Sequence, residues 1–348
     1  MLRWASATLL VLLARSAASP AAGPRVALIV DAGSTGTRLH VVQWLPGHGS
    51  ELPRLRSATK LKVYPGLSSF SQEPSKAAAS LSPLIEYAHT HVPFAERSST
   101  PLTLYGTAGM RALPAGEQER IYAIVRQALE VSGYKVGSVR TISGEEEGKL
   151  GWLALKWLAQ ETESGQRWLG ALDLGGGSTQ IAYSSSASAT DASKVHSVSY
   201  MGFGNRAVLA RVEASLIAGG TRAEEDGRWE QPCYFRGYNY TSATNRARFV
   251  GTSEPEKCAA LVSRLFLPSA SPRFERLESP PPDVSFYGLS ACAVARRQTG
   301  VEEVSDCPGK GNLVPHTNPI RPAGSFTSRT SSTSSSTSRA CHAPPSPP

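Results

Sequence analysis

The chain has 348 residues, 40% hydrophobic and 18% charged. It is long enough for two domains of ordinary size, and its composition excludes a fibrous or wholly disordered protein. The net charge of +8 comes from scattered basic residues rather than one stripe. That argues against nucleic acid as a partner and leaves a modest, salt-dependent attraction for anionic small molecules.

Residues 1–22 read as a secretory signal: Arg3 precedes an apolar stretch over 5–14, and Ser16-Ala17-Ala18-Ser19 supplies small residues for cleavage. The stretch is short for a bilayer span, so membrane association is expected only if this segment stays as an uncleaved anchor. No second stretch is long and apolar enough to span. Residues 25–44 alternate and are β-rich, predicting a hairpin that turns at Asp31-Ala32-Gly33-Ser34-Thr35-Gly36-Thr37-Arg38. Tyr64-Pro65-Gly66-Leu67-Ser68-Ser69 marks a loop. A helix is predicted over 74–91, with Ala77, Leu81, Leu84, Ile85 and Ala88 on one face. A strand over 102–105 runs into Gly106-Thr107-Ala108-Gly109-Met110-Arg111, followed by a helix over 117–131 and a strand over 136–142. Ser143-Gly144-Glu145-Glu146-Glu147-Gly148 opens a helix predicted over 149–160. Acidic residues there also serve simply to offset the positive end of a helix dipole.

Polar residues 161–166 read as a hinge, and a strand over 168–172 leads into Asp173-Leu174-Gly175-Gly176-Gly177-Ser178-Thr179-Gln180. This repeats the earlier pattern of an apolar run ending in Asp-x-Gly with small hydroxyl residues. Residues 198–223 pass through Gly202-Phe203-Gly204 into a helix, then comes a loop with Pro232, Cys233 and Tyr238, a helix over 256–266 and a strand over 284–289. Beyond Pro308 the Ser/Thr and Pro composition predicts disorder over 309–348.

The two Asp-x-Gly hairpins read as a duplicated phosphate clamp. Glycines let backbone N–H groups reach phosphate oxygens and permit positive φ. Ser34, Thr35, Thr37, Ser178 and Thr179 add hydroxyl donors. Asp31 and Asp173, each just past an apolar strand, suit a hard cation held through water, Mg²⁺ or Ca²⁺. Arg38 and Arg111 are candidates for charge stabilisation or for structural ion pairs. All five cysteines lie at or after Cys233, and Asn239-Tyr240-Thr241 is a glycosylation acceptor. Both agree with an oxidising compartment, and the odd count leaves one thiol unpaired within the chain.

These motifs resemble, in order, the landmarks of the apyrase family, the CD39-like nucleoside triphosphate diphosphohydrolases, with a flavour nearest plant and soluble apyrases. The resemblance covers 26–293. It implies an α/β, actin-like fold of duplicated RNase H-like domains with a nucleotide cleft between them. Domains are expected at 23–160 and 161–308, with the family's closing segment replaced by the Ser/Pro tail. It implies removal of terminal phosphates from nucleoside tri- and diphosphates with Ca²⁺ or Mg²⁺, outside the cell or in the secretory lumen. Glu147 takes the place of the general base and Thr107 stands beside the attacking water. Ser34, Thr35, Gly36, Thr37, Arg38, Gly175, Gly176, Gly177, Ser178, Thr179 and Gln180 become phosphate contacts. A Cys233–Cys258 bridge is implied in the same way. The rival expectation is a nucleotide-binding actin-like protein, or a shortened relative, that turns nothing over.

Overall fold

A computed structural model describes residues 25–46, 53–162, 169–184, 192–220, 227–265, 280–281, 284–290 and 321–322. The signal segment and the Ser/Pro tail lie outside the described residues, Arg321 and Pro322 excepted. The described residues fall into two compact units. One lies within 1–174, 180–199 and 278–348, the other within 175–179 and 200–277.

The first unit contains a five-stranded sheet built from β1 (Arg25–Gly33), β2 (Gly36–Leu45), β3 (Arg54–Val63), β4 (Pro101–Gly106) and β5 (Lys135–Thr141), in the order β3-β2-β1-β4-β5. β2 runs antiparallel to β1 and β3, whereas β4 and β5 run parallel to β1. β1 is apolar on both sides because both are covered. Leu28 and Val30 pack with Leu84, Ile121 and Val125, while Ala27 and Ile29 join a second cluster with Trp152, Leu155 and Ala171. The helices involved are α1 (Pro74–Ala79), α2 (Ser82–His91), α3 (Phe94–Arg97), α4 (Ala108–Arg111), α5 (Ala115–Glu130) and α6 (Gly144–Thr162).

A second five-stranded sheet uses β6 (Leu169–Leu174), β7 (Ser178–Ser184), β8 (Val195–Met201), β12 (Ser285–Ser290) and β13 (Arg321–Pro322), in the order β13-β12-β6-β7-β8. β12 is parallel to β6 and to β13. In chain order this repeats the first sheet: a hairpin strand pair, a third strand at one edge, then parallel strands added on the other side of the first. That topology, twice in one chain, is the actin-like arrangement of RNase H-like sheets. The remaining unit carries α7 (Asn205–Gly219), α8 (Pro255–Arg264) and a small sheet of β9 (Trp229–Gln231), β10 (Asn239–Thr241) and β11 (Arg248–Gly251), ordered β10-β11-β9. Its core is Val212, Leu216, Phe249 and Leu265. Cys233 and Cys258 form the implied disulfide.

The structure departs from the sequence expectations in four places. The helix expected over 74–91 is broken between α1 and α2, because Pro83 has no N–H and its ring would collide with the carbonyl of Ala79 in a continuous helix. α6 starts at Gly144 rather than 149, capped by a hydrogen bond from the Glu146 amide to Ser143 Oγ at 3.0 Å. β3 was not expected, although Leu55, Thr59, Leu61 and Val63 alternate with charged residues. The loop carrying Cys233 and Tyr238 holds β9 to β11, which are too short to announce themselves by periodicity.

Candidate active site

The first glycine loop joins β1 to β2. Its closest neighbours explain three glycines at once. A Cβ on Gly66 would lie 2.3 Å from the Gly33 carbonyl oxygen, and one on Gly109 would lie 2.7 Å from Ser34 Cα and from Ser68 Oγ. A Cβ on Gly36 would meet the Val63 carbonyl at 2.6 Å. Thus the stretches 31–38, 64–69 and 106–111, separated in the chain, meet at this one turn, and the Thr107 amide donates to the Ala32 carbonyl at 3.2 Å. These glycines serve close approach, not positive φ. Gly33, Gly36 and Gly175 to Gly177 all stay out of the left-handed region, which Gly202 enters instead at φ 83°.

At the base of this loop Arg38 donates to Asp31 Oδ2 at 3.1 Å. Removal from solvent pushes the Asp31 carboxyl up, and Arg38 with Lys62 and Lys60 opposes the rise. Thr37 is fully buried, with no hydrogen-bond partner for its hydroxyl among the described residues. Ser34 and Thr35 form the tip of the turn and are partly exposed.

Glu147 sits in the first turn of α6, and its side chain is 21% exposed. Its Oε2 accepts from Arg111 at 2.8 Å and from Gln180 Nε2 at 3.2 Å. Arg111, at the end of α4, also donates to the Ile142 carbonyl at 3.1 Å. Burial pushes the Glu147 carboxyl up to about 7. Arg111 opposes this, and the charges of Asp173 and Asp31 add to it. A carboxyl poised near neutrality beside two further acids is suited to take a proton from water. Gln180, expected as a phosphate contact, is 1% exposed and spends its amide on Glu147 and on Ser199 Oγ, the latter at 2.9 Å.

The second loop follows β6. Its carbonyls face the start of α7: the Asn205 amide donates to Gly175 at 2.9 Å, those of Arg206 and Ala207 to Gly176 at 3.1 Å, and that of Gly202 to Gly177 at 2.9 Å. A planar trans peptide places its N–H opposite its C=O. The amides of Gly176, Gly177 and Ser178 are therefore turned to the other side. Thr179 Oγ1 donates to the Phe203 carbonyl at 2.7 Å, which pins the loop. A Cβ on Gly204 would lie 2.4 Å from the Gly176 carbonyl carbon. Gly204 precedes α7 with φ −71° and ψ 160°, as Gly66 precedes the 3₁₀ turn Leu67–Phe70 with φ −70° and ψ 157°. The two loops are thus braced by equivalent glycines, a correspondence the residue types around them conceal.

Sequence reasoning missed Ser197 and Ser199 of β8. The signal available was the Gly144, Gly148 pair, one helical turn apart at the start of α6, where small residues admit a close neighbour.

The twice-repeated sheet topology defines an actin-like fold. Residues 23–281 match the GDA1/CD39 (nucleoside phosphatase) family, and the chain belongs to it. It is 33% identical over 266 residues to ectonucleoside triphosphate diphosphohydrolase 6 of Rattus norvegicus, a match covering 68% of this chain and 57% of the relative. It is 33% identical over 266 residues to nucleoside diphosphate phosphatase ENTPD5 of Homo sapiens, covering 68% of this chain and 61% of that one. The chain thus spans about three fifths of the length of these curated relatives. A crystal structure of nucleoside triphosphate hydrolases from Neospora caninum has a TM-score of 0.54 at 18% identity, covering 83% of this chain and 76% of that chain, a likeness of fold.

Proposed function

We propose that the protein hydrolyses the terminal phosphoanhydride of nucleoside di- and triphosphates, with Glu147 as general base. The observation that carries this reading is the Glu147 carboxylate itself, held between Arg111 and Gln180 and raised to about 7. Glu147 takes a proton from water as its oxygen bonds to the terminal phosphorus and the bridging P–O bond breaks. Thr107, at the mouth of α4, stands beside that water. Arg111 orients the carboxylate and offsets negative charge. The outward amides of Gly176, Gly177 and Ser178, with Ser34, Thr35, Gly36, Thr37 and Arg38 on the first loop, hold phosphate oxygens.

The donor set fits a hydrated hard cation. Asp31 and Asp173 offer carboxylate oxygens at strand ends, and among the described residues no group of three His, Cys, Asp or Glu side chains converges as direct ligands. The two aspartates would hold Ca²⁺ or Mg²⁺ through water, and the ion would supply charge relief at the phosphates. The Cys233–Cys258 bridge and the exposed Asn239 acceptor on edge strand β10 support a secretory or extracellular setting and a glycan. No described helix is long and apolar enough to cross a membrane.

The test is phosphate release by malachite green from nucleoside di- and triphosphates, with and without EDTA, for the wild type and Glu147→Gln. Release that EDTA and the substitution both abolish supports the reading. The rival reading is nucleotide binding without turnover. Calorimetric nucleotide binding with no release of phosphate would establish that rival instead.

A further inference from the structure

Below the base, α6 lies unusually close to β8. A Cβ on Gly144 would stand 2.1 Å from Ser199 Oγ and 2.2 Å from Ser199 Cβ, and one on Gly148 would stand 2.2 Å from Ser197 Oγ and 3.2 Å from Gln180 Cβ. The second of these distances is decisive, because a Cβ cannot rotate away as a hydroxyl can. The two glycines thus set the turn bearing Glu147 against strands β7 and β8. The buried Gln180 amide bridges the contact, with Nε2 giving hydrogen bonds to Glu147 Oε2 at 3.2 Å and to Ser199 Oγ at 2.9 Å. An amide nitrogen has two hydrogens, so it can serve both acceptors at once.

We infer that Ser199 is a positioning residue for catalysis, acting through Gln180 to hold an N–H against Glu147. The inference rests on the reading of Glu147 as base. Without the Ser199 oxygen the amide loses an acceptor that fixes its orientation, and it is freer to turn about its soft terminal torsion. A turned amide presents its oxygen to Glu147, which favours the protonated acid over the working carboxylate. The charged groups around Glu147, namely Arg111 on α4, Asp173 on β6 and Asp31 on β1, are untouched by a change at Ser199. Ser197 provides an internal control. It lies two residues away on the same strand, and its buried hydroxyl has no hydrogen-bond partner among the described residues.

The experiment measures kcat and KM against pH for the wild type, Ser199→Ala, Ser197→Ala, Glu147→Gln and the Ser199→Ala/Glu147→Gln double variant, with melting temperatures alongside. Ser199→Ala is expected to lower kcat about tenfold with KM little changed, as small misplacements of a catalytic group do. It should also move the rising limb of the pH profile upward, while Ser197→Ala leaves both unchanged. The double variant should be no slower than Glu147→Gln alone, since the two residues act as one unit. If Ser199→Ala does not fold, Ser199→Cys keeps the side-chain shape at slightly larger volume and weakens the acceptor, and should show the same direction of change. A silent Glu147→Gln would overturn the base assignment. An inactive Glu147→Gln beside a Ser199→Ala or Ser199→Cys of wild-type kcat and pH profile would overturn the positioning role alone.

Discussion

Replacing Glu147 by Gln removes a titration as well as a base, and the titration gives a second, independent measurement. The folded carboxyl is raised from 4.5 to about 7 by burial and by Asp173 and Asp31 against the pull of Arg111. A folded pKa above the unfolded one means that the native state binds this proton more tightly. The penalty on folding is therefore absent below pH 4.5, grows through the interval and is complete above pH 7. A shift of about 2.5 units corresponds to about 3 kcal/mol. Glu147→Gln should thus gain about 3 kcal/mol over the wild type between pH 4.5 and pH 8. Any fixed cost of leaving Arg111 without a carboxylate is constant with pH and drops out of this difference. Urea denaturation in EDTA across that range reads it directly. On the kinetic side, a base titrating near 7 makes kcat/KM rise about tenfold from pH 6 to pH 8, and removing it costs about 10² to 10⁴ in rate. Saturating divalent cation should move the limb to lower pH, because added positive charge favours the carboxylate. Parallel stability curves for the two proteins, with a rate already level at pH 5.5, would refute both the raised carboxyl and its role.

Gly204→Ala places a Cβ 2.4 to 2.5 Å from backbone atoms of Gly176 and Gly177. Nothing there can rotate aside, so a loss of about 1–3 kcal/mol is expected in chemical denaturation, together with a raised KM as the second loop is displaced. Changing Cys233 and Cys258 to Ser opens a loop closed across 25 residues. The cost should be about 3 kcal/mol in the chain-entropy account, seen as a lower urea midpoint, and peptide mapping that found both as free thiols in the wild type would remove the bridge. Asp31→Ala or Asp173→Ala should reduce phosphate release more at low than at high divalent cation, and full activity in excess EDTA would contradict the cation's role.

Much of the site was readable because its residue types are tied to backbone demands. The glycines at 33, 36, 66, 109 and 175 to 177 mark places where main chain meets main chain, and Asp31, Glu147 and Asp173 stand where strands end or a helix begins. What the sequence hid was partnership. Gln180 belongs by spacing to the second loop, yet β7 turns its side chain toward Glu147, and the alternation of a strand carries no hint of which helix covers that face. The roles of Arg38 and Arg111 were open for the same reason. A guanidinium can serve a phosphate or a carboxylate, and only the fold supplied Asp31 and Glu147 as neighbours.

The duplication bears on this last point. In the first sheet the acid at the end of β1 faces an arginine two residues past its glycine turn, Asp31 with Arg38 at 3.1 Å. The corresponding stretch after Asp173 carries no arginine, and Gln180 occupies the strand that leaves the loop. The two halves share topology and the bracing glycine, as Gly66 and Gly204 show by their nearly identical backbone angles. They differ in the side chain that emerges beside the acid. In one half the residue seven places after the aspartate is a cation that pairs with it, whereas in the other it is a neutral amide that donates to Glu147. A symmetric pair of arginines would have drawn the Glu147 carboxyl down toward ordinary carboxylate values. Burial raises that carboxyl to about 7, and a neutral amide in place of a second cation leaves the rise unopposed from that side.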